Sequence, residues 1–161
     1  AYEIVSGLVG SEMCIRDSVH CLLYQGRYNL FNREPEAQGI LRQAQENGTG
    51  FIAFSPLAQG LLTNRYLNGI PEDSRIARGG FLKKEQLTDQ VLNKIKALNE
   101  VAGSRGQTLA EMALAWILKD DLVTSVIIGA SSVSQLADNL KATENCKFSP
   151  DELQRIGSIL Q

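Results

Sequence analysis

The sequence predicts an α/β fold, a small parallel sheet with helices packed against it. Two observations predict it. Short, nearly continuous apolar runs alternate with segments of helical period, the order that sets strands parallel and helices on their faces. One of these runs, 123–128, stops at Gly129, meets Ser131 and Ser132, and passes into a segment with Gln135 and Asn139 one helical turn apart. A buried parallel strand reads this way where it ends at a helix N-terminus, whose unpaired N–H groups and dipole favour an anion. The same pattern also serves as a plain strand–helix turn, so its meaning depends on the rest of the chain.

The elements follow in order. Residues 19–25 form a short apolar strand that exits through Gly26, Arg27, Tyr28 and Asn29. Residues 35–46 carry Ala37, Ile40, Leu41 and Ala44 at helical spacing and stop at Asn47-Gly48. Residues 50–54 make a second strand, ended by Ser55-Pro56, and a long segment of loop composition spans 57–81. Loops of that length are usually functional. Residues 84–102 read as an amphipathic helix with Leu87, Val91, Ile95 and Leu98 on one stripe.

After Gly106, Thr108 and Glu111 have capping-box spacing, and Leu109, Met112, Ala113, Trp116 and Ile117 form a wide apolar face. That face makes Met112 and Trp116 core residues. The third strand is 124–128 and its helix 132–142, opened by Ser132 and Gln135 at the same capping spacing. Ser149-Pro150-Asp151-Glu152 starts a last helix. Three parallel strands leave two open edges. The expected architecture is therefore the C-terminal portion of a TIM (β/α)8 barrel, about three strand–helix units plus extra helices, out of eight units and about 250 residues.

Composition narrows the function classes. The 161 residues are 43% hydrophobic with a net charge of −2, ordinary for one core. Balanced charge gives no nucleic-acid footprint, and no apolar run approaches a membrane span. Cys14, Cys21 and Cys146 form neither a CxxC nor a zinc spacing. A cytoplasmic protein without nucleic-acid or membrane partners is expected, its oligomeric state open. Residues 1–18 (AYEIVSGLVGSEMCIRDS) have neither period and resemble a translated sequencing-library adaptor, with a primer tail at 1–4 and a transposase end at 7–18. The competing reading is a native N-terminal arm. On the adaptor reading, 1–18 is a non-native segment and 19–161 the domain proper.

Four segments carry a family likeness: QGRYNLFNR (25–33), FSPLAQGLL (54–62), GIPEDSR (69–75) and IGASSVSQLADN (128–139). In this order they resemble the C-terminal half of an aldo-keto reductase, in the branch of bacterial glyceraldehyde-phosphate and methylglyoxal reductases and potassium channel β subunits. The resemblance implies a TIM barrel that binds NADP(H) in extended form over the C-terminal rim of its strands. It implies that Gln25 bonds the nicotinamide carboxamide and that Phe54 stacks on the nicotinamide ring. By residue type alone, the first is a surface polar group and the second a core aromatic. Ser55, Leu57, Gln59 and Gly60 would wrap the pyrophosphate, and Arg65 and Arg75 would pair with its charge and with the adenosine phosphate. Gly129, Ser131, Gln135 and Asn139 would meet the adenosine 2′-phosphate and adenine. Gly129 and Gln135 stand where many members have Lys and Arg, so the 2′-phosphate grip would fall to Ser131, Gln135 and Arg75.

The family's catalytic Asp, Tyr, Lys and His have no counterpart motif in this chain, and His20 is a lone histidine without partners. The expectation is a C-terminal piece of an NADP(H)-dependent aldo-keto reductase of small aldehydes and ketones, inactive by itself. The alternative is a nucleotide-sensing regulatory subunit resembling the channel β subunits. A ligand-free α/β domain is the third reading.

Overall fold

The computed structural model describes residues 21–67 and 87–161. Its elements are β1 (Leu23–Arg27), α1 (Glu34–Ala37), α2 (Ile40–Glu46), β2 (Gly50–Phe54), α3 (Asp89–Ser104), α4 (Leu109–Ile117), β3 (Ser125–Val126), α5 (Val133–Leu140) and α6 (Pro150–Leu160). Short 3-10 turns lie at Ala58–Gly60, Asn64–Tyr66 and Lys141–Glu144.

The strands form one parallel sheet in chain order, β1-β2-β3. Register places Gln25 opposite Ile52 and Arg27 opposite Phe54, while Ile52 in turn faces Ser125. Side chains alternate along a strand, so this register sorts them into two faces. Phe51 and Ala53 on one face are fully buried. The other face carries Leu23, Gln25, Arg27, Phe54 and Ser125, all exposed. Among the described residues, helices therefore cover one side of the sheet only, and parallel strands in sequential order with helices outside make a sector of a β/α barrel wall. Among the described residues no helix is long and apolar enough to cross a membrane.

The core is aromatic at its centre. Trp116 is 2% exposed and its ring lies 5.3 Å from that of Tyr28, which meets Phe51 edge-on at 6.3 Å. Tyr24 stacks on Phe51 at 5.4 Å. These rings close over Gly26, where a Cβ would come within 2.7 Å of Phe51 Cζ, so no larger residue fits. A charged collar seals the cluster. Lys119 Nζ sits 4.3 Å from the Trp116 ring and donates to the Tyr28 hydroxyl, which donates to Glu36. Burial, and then Glu36, hold the Tyr28 phenol above its ordinary pKa. Met112 is fully buried beside this cluster, so both residues expected in the core are there.

Four boundaries differ from expectation. The 35–46 helix is two helices, because Gly39 adopts φ 74°, a left-handed turn that glycine takes without strain. β1 continues through Gly26 and Arg27, since both stay in register with β2. Thr88 caps α3, its hydroxyl accepting from Val91 N–H, so the helix starts at Asp89. β3 is a two-residue strand, extended by single bonds from Thr124 N–H to Phe51 and from Ile127 N–H to Ala53. Within the expected loop 57–81, Leu61, Leu62 and Tyr66 are buried, so its first part is packed structure. Residues 68–81 lie outside the described residues.

The lower helices are fastened by Arg105 at the end of α3. Its side chain is 3% exposed, bonds Glu152 at 2.7 Å and the carbonyls of Asn145 and Lys147, and stacks 3.7 Å over Phe148. Full capping boxes open α4 at Thr108 and α6 at Ser149, as their spacing predicts.

Candidate functional site

The loops leaving β2 and β3 meet at the C-terminal end of the sheet. At Phe54 the chain leaves the ladder and turns sharply. Ser55, Ala58, Gln59 and Gly60 all take positive φ, at 54°, 46°, 60° and 102°. Such conformations are costly for residues with a Cβ and persist only where surrounding contacts impose them. Here the contacts are hydrogen bonds: Ser55 O accepts from Ala58 N–H and from Asn29 Nδ2, while Leu57 O accepts from Gly60 and Leu62 N–H. The result is a folded loop rather than a flexible tip.

This loop forms one wall of two adjoining cavities. The first, about 350 Å³, is lined by Ser55, Leu57, Gln59, Gly60, Arg65, Gly129 and Gln135, seven of the residues expected at the site. The second, about 410 Å³, continues past Leu57, Thr63 and Gln135 to Asn139, Asp138 and Lys141. Thus residues separated by more than 70 positions in the sequence share one groove. Gln25 and Phe54 line neither cavity. They project from the open sheet face, Phe54 at 36% exposure in the last row of the register. Arg75 lies outside the described residues.

The β3 side is built by α5. Ser132 caps it, its hydroxyl accepting from Gln135 N–H at 3.1 Å. The expected reciprocal bond is absent from the described bonds; Gln135 Oε1 accepts instead from Ser131 N–H and Ser131 Oγ. Ser131 and Gln135 therefore act as one polar unit at the helix start, where the dipole favours an anion. Gly129 has open space around its Cβ direction, so glycine is no steric necessity there.

Among the described residues, two buried side-chain polar atoms have no hydrogen-bond partner: Asn139 Nδ2 and Tyr66 Oη. Unpaired buried polar groups are rare in a finished fold, and each points to a missing partner. Both residues line the groove, Asn139 in the larger cavity and Tyr66 in the smaller. Sequence reasoning missed Tyr66, Thr63 and Asn29. Thr63 was legible in principle, since its hydroxyl caps the Asn64–Tyr66 turn, bonding Gly60 O and Arg65 N–H. Asn29 closes a local turn through Phe31 and Asn32 N–H, but its bond to Ser55 joins separate loops, and Tyr66 leaves no local signal.

A sector of barrel wall with a polar groove at the C-terminal strand ends is the arrangement of part of a TIM barrel, whose sites lie on that rim. Comparison with known proteins agrees. The family model described as "Aldo/keto reductase family" matches residues 12–161, and the chain belongs to that family. It is similar to the L-glyceraldehyde 3-phosphate reductase of Escherichia coli strain K12, 53% identical over 139 residues, covering 84% of this chain and 40% of that protein. It is also similar to a probable voltage-gated potassium channel subunit beta of Arabidopsis thaliana, 37% identical over 149 residues, 90% of this chain and 45% of the relative. Among solved structures, the holo form of an aldo-keto reductase from Bacillus halodurans aligns with a TM-score of 0.67 at 26% identity, over 98% of this chain and 48% of that one. The chain spans less than half the length of these relatives.

Proposed function

We propose that the chain carries the nucleotide-binding sector of an NADP(H)-dependent aldo-keto reductase of small aldehydes and ketones. The observation that carries this reading is the unpartnered Asn139 Nδ2 at the far end of a continuous groove. Two cavities in line suit an extended dinucleotide, and an unsatisfied amide at one end suits a heteroaromatic base with hydrogen-bonding edges. The residues present fit the group.

Phe54 and Gln25 would hold the nicotinamide on the open sheet face. Ser55, Leu57, Gln59, Gly60 and Arg65 would hold the pyrophosphate in the smaller cavity. Ser131 and Gln135 would take the 2′-phosphate, Asn139 the adenine. Arg75 would add its forked donors to the phosphates. Bound NADPH supplies a hydride to a carbonyl carbon. This chain's residues orient the cofactor, and the proton for the carbonyl oxygen would come from a residue outside 19–161, because no motif here resembles the family's catalytic Asp, Tyr, Lys and His. We further read residues 1–18 as non-native.

The likeness to channel β subunits favours a second reading, in which the same groove senses nucleotide for a partner protein. NADPH titration of the purified chain tests the shared part: saturable quenching of Trp116 emission or enhanced nicotinamide emission is expected. A flat response on both signals, with the chain folded by circular dichroism, would sink it. Steady-state assays with methylglyoxal or glyceraldehyde should show no NADPH oxidation above a no-protein control.

A further inference from the structure

We propose that Asn29 is the positioning residue of the nucleotide loop and acts through the carbonyl of Ser55; this rests on the reading of that loop given above. Asn29 is fully buried at the exit of β1. Its Oδ1 accepts from Phe31 N–H at 3.0 Å and Asn32 N–H at 2.9 Å, closing the turn that follows the strand. Its Nδ2 reaches across to the exit of β2 and donates to Ser55 O at 2.9 Å. One short planar amide thus fastens two strand exits 26 positions apart.

The bond falls where the backbone most needs holding. Ser55 has φ 54°, and its carbonyl also accepts from Ala58 N–H at 3.0 Å, the bond that starts the turn. Ala58 and Gln59 then continue at φ 46° and 60°. Release of the Ser55 carbonyl would let the serine return to the ordinary negative-φ regions, and the left-handed residues after it would lose their starting geometry. Ser55, Gln59 and Gly60 line the smaller cavity, whereas Asn29 does not. Its hydrogen bond to this loop is the one to Ser55 O, which carries its influence on a ligand in the smaller cavity. Only asparagine fits: aspartate lacks the donor, serine lacks reach for both bonds, and glutamine is one methylene longer.

The test is a double-mutant cycle on the 161-residue chain with Asn29→Asp, Ser55→Gly and both together, read as NADPH affinity by fluorescence, with thermal unfolding recorded for each. Asn29→Asp keeps the acceptor for Phe31 and Asn32 and removes the donor to Ser55. Glycine adopts φ 54° unaided. Asn29→Asp should weaken NADPH about tenfold in the unaltered background and less than about threefold in the Ser55→Gly background. Equal losses in both backgrounds, or a lowered melting temperature with unchanged affinity, overturn the positioning role while leaving the nucleotide reading intact. No NADPH binding by the folded, unaltered chain overturns that reading, and the proposal falls with it. If Asn29→Asp fails to fold, the Asn29 side-chain amide protons of the unaltered chain decide: NADPH should shift their resonances, and resonances that stay fixed while NADPH binds overturn the proposal.

Discussion

Gln135 accepts two hydrogen bonds from a single residue, Ser131, one from its backbone N–H at 2.7 Å and one from its hydroxyl at 2.9 Å. Gln135→Glu should preserve both, because a carboxylate accepts equally well, while placing a negative charge at the helix start. NADP+ affinity should then fall by about tenfold or more, and NAD+ affinity should change little. Equal losses for both nucleotides in a titration would remove the 2′-phosphate from this end of the groove.

Asn139 contributes an unsatisfied amide to the ligand-free fold. Leucine keeps the branched outline without a polar atom, and the cavity beside Asn139 has room for its larger methyl groups. Asn139→Leu should raise stability by about 1 kcal/mol, read from the urea midpoint, and weaken NADPH at the same time. A variant that loses stability instead would mean that the amide is satisfied in the free protein and that its exposure to a ligand was misread.

Arg105 binds Glu152, two carbonyls and the face of Phe148 from a nearly inaccessible position. Arg105→Met should cost about 2–4 kcal/mol, because it strands a carboxylate, two carbonyls and the Gln107 amide oxygen. Arg105→Lys should recover less than half of that, for want of the planar fork. Chemical unfolding curves of the two variants check both numbers.

Among the described residues, two carboxylates with lowered pKa bear on acid stability. The Ser149 backbone N–H, opposed by burial and aided by Arg105, holds Glu152 below the ordinary value of 4.5. Burial pushes Glu36 up, but the hydrogen bonds and charge of Arg33 more than offset it, so Glu36 also lies below 4.5. A carboxylate with a depressed folded-state pKa contributes stability above its unfolded pKa, and that contribution is lost as pH falls through the folded value. Stability should therefore be level above about pH 5 and decline below about 4.5. The decline should be shallower in Glu152→Gln, as a series of melts from pH 6 to 3 would show.

How much was readable in advance follows from the range of each interaction. Thr108 with Glu111 and Ser149 with Glu152 announce their helices because a capping box is closed within four residues. Trp116 and Met112 were legible as core from their helical spacing. Gly39 was legible too, being a glycine inside a helical pattern, but the apolar period on either side of it hid the break. β3 appeared longer in the sequence than in the sheet, since 124–128 is largely β-branched whereas the ladder depends on its neighbour. The groove residues came from family likeness, which included Asn29 without giving it a contact and left out Tyr66. Their roles exist only once β1 and β2 lie side by side.

The one-sided sheet has a thermodynamic consequence. Phe54 and Ile127 lie bare at its rim, and Val133, Leu136 and Leu140 form an exposed apolar stripe on the helix that follows it. A fold that leaves such surface open draws part of its free energy from whatever comes to lie on it, and that share obeys mass action. A partner that covered this face would raise the melting temperature with its concentration.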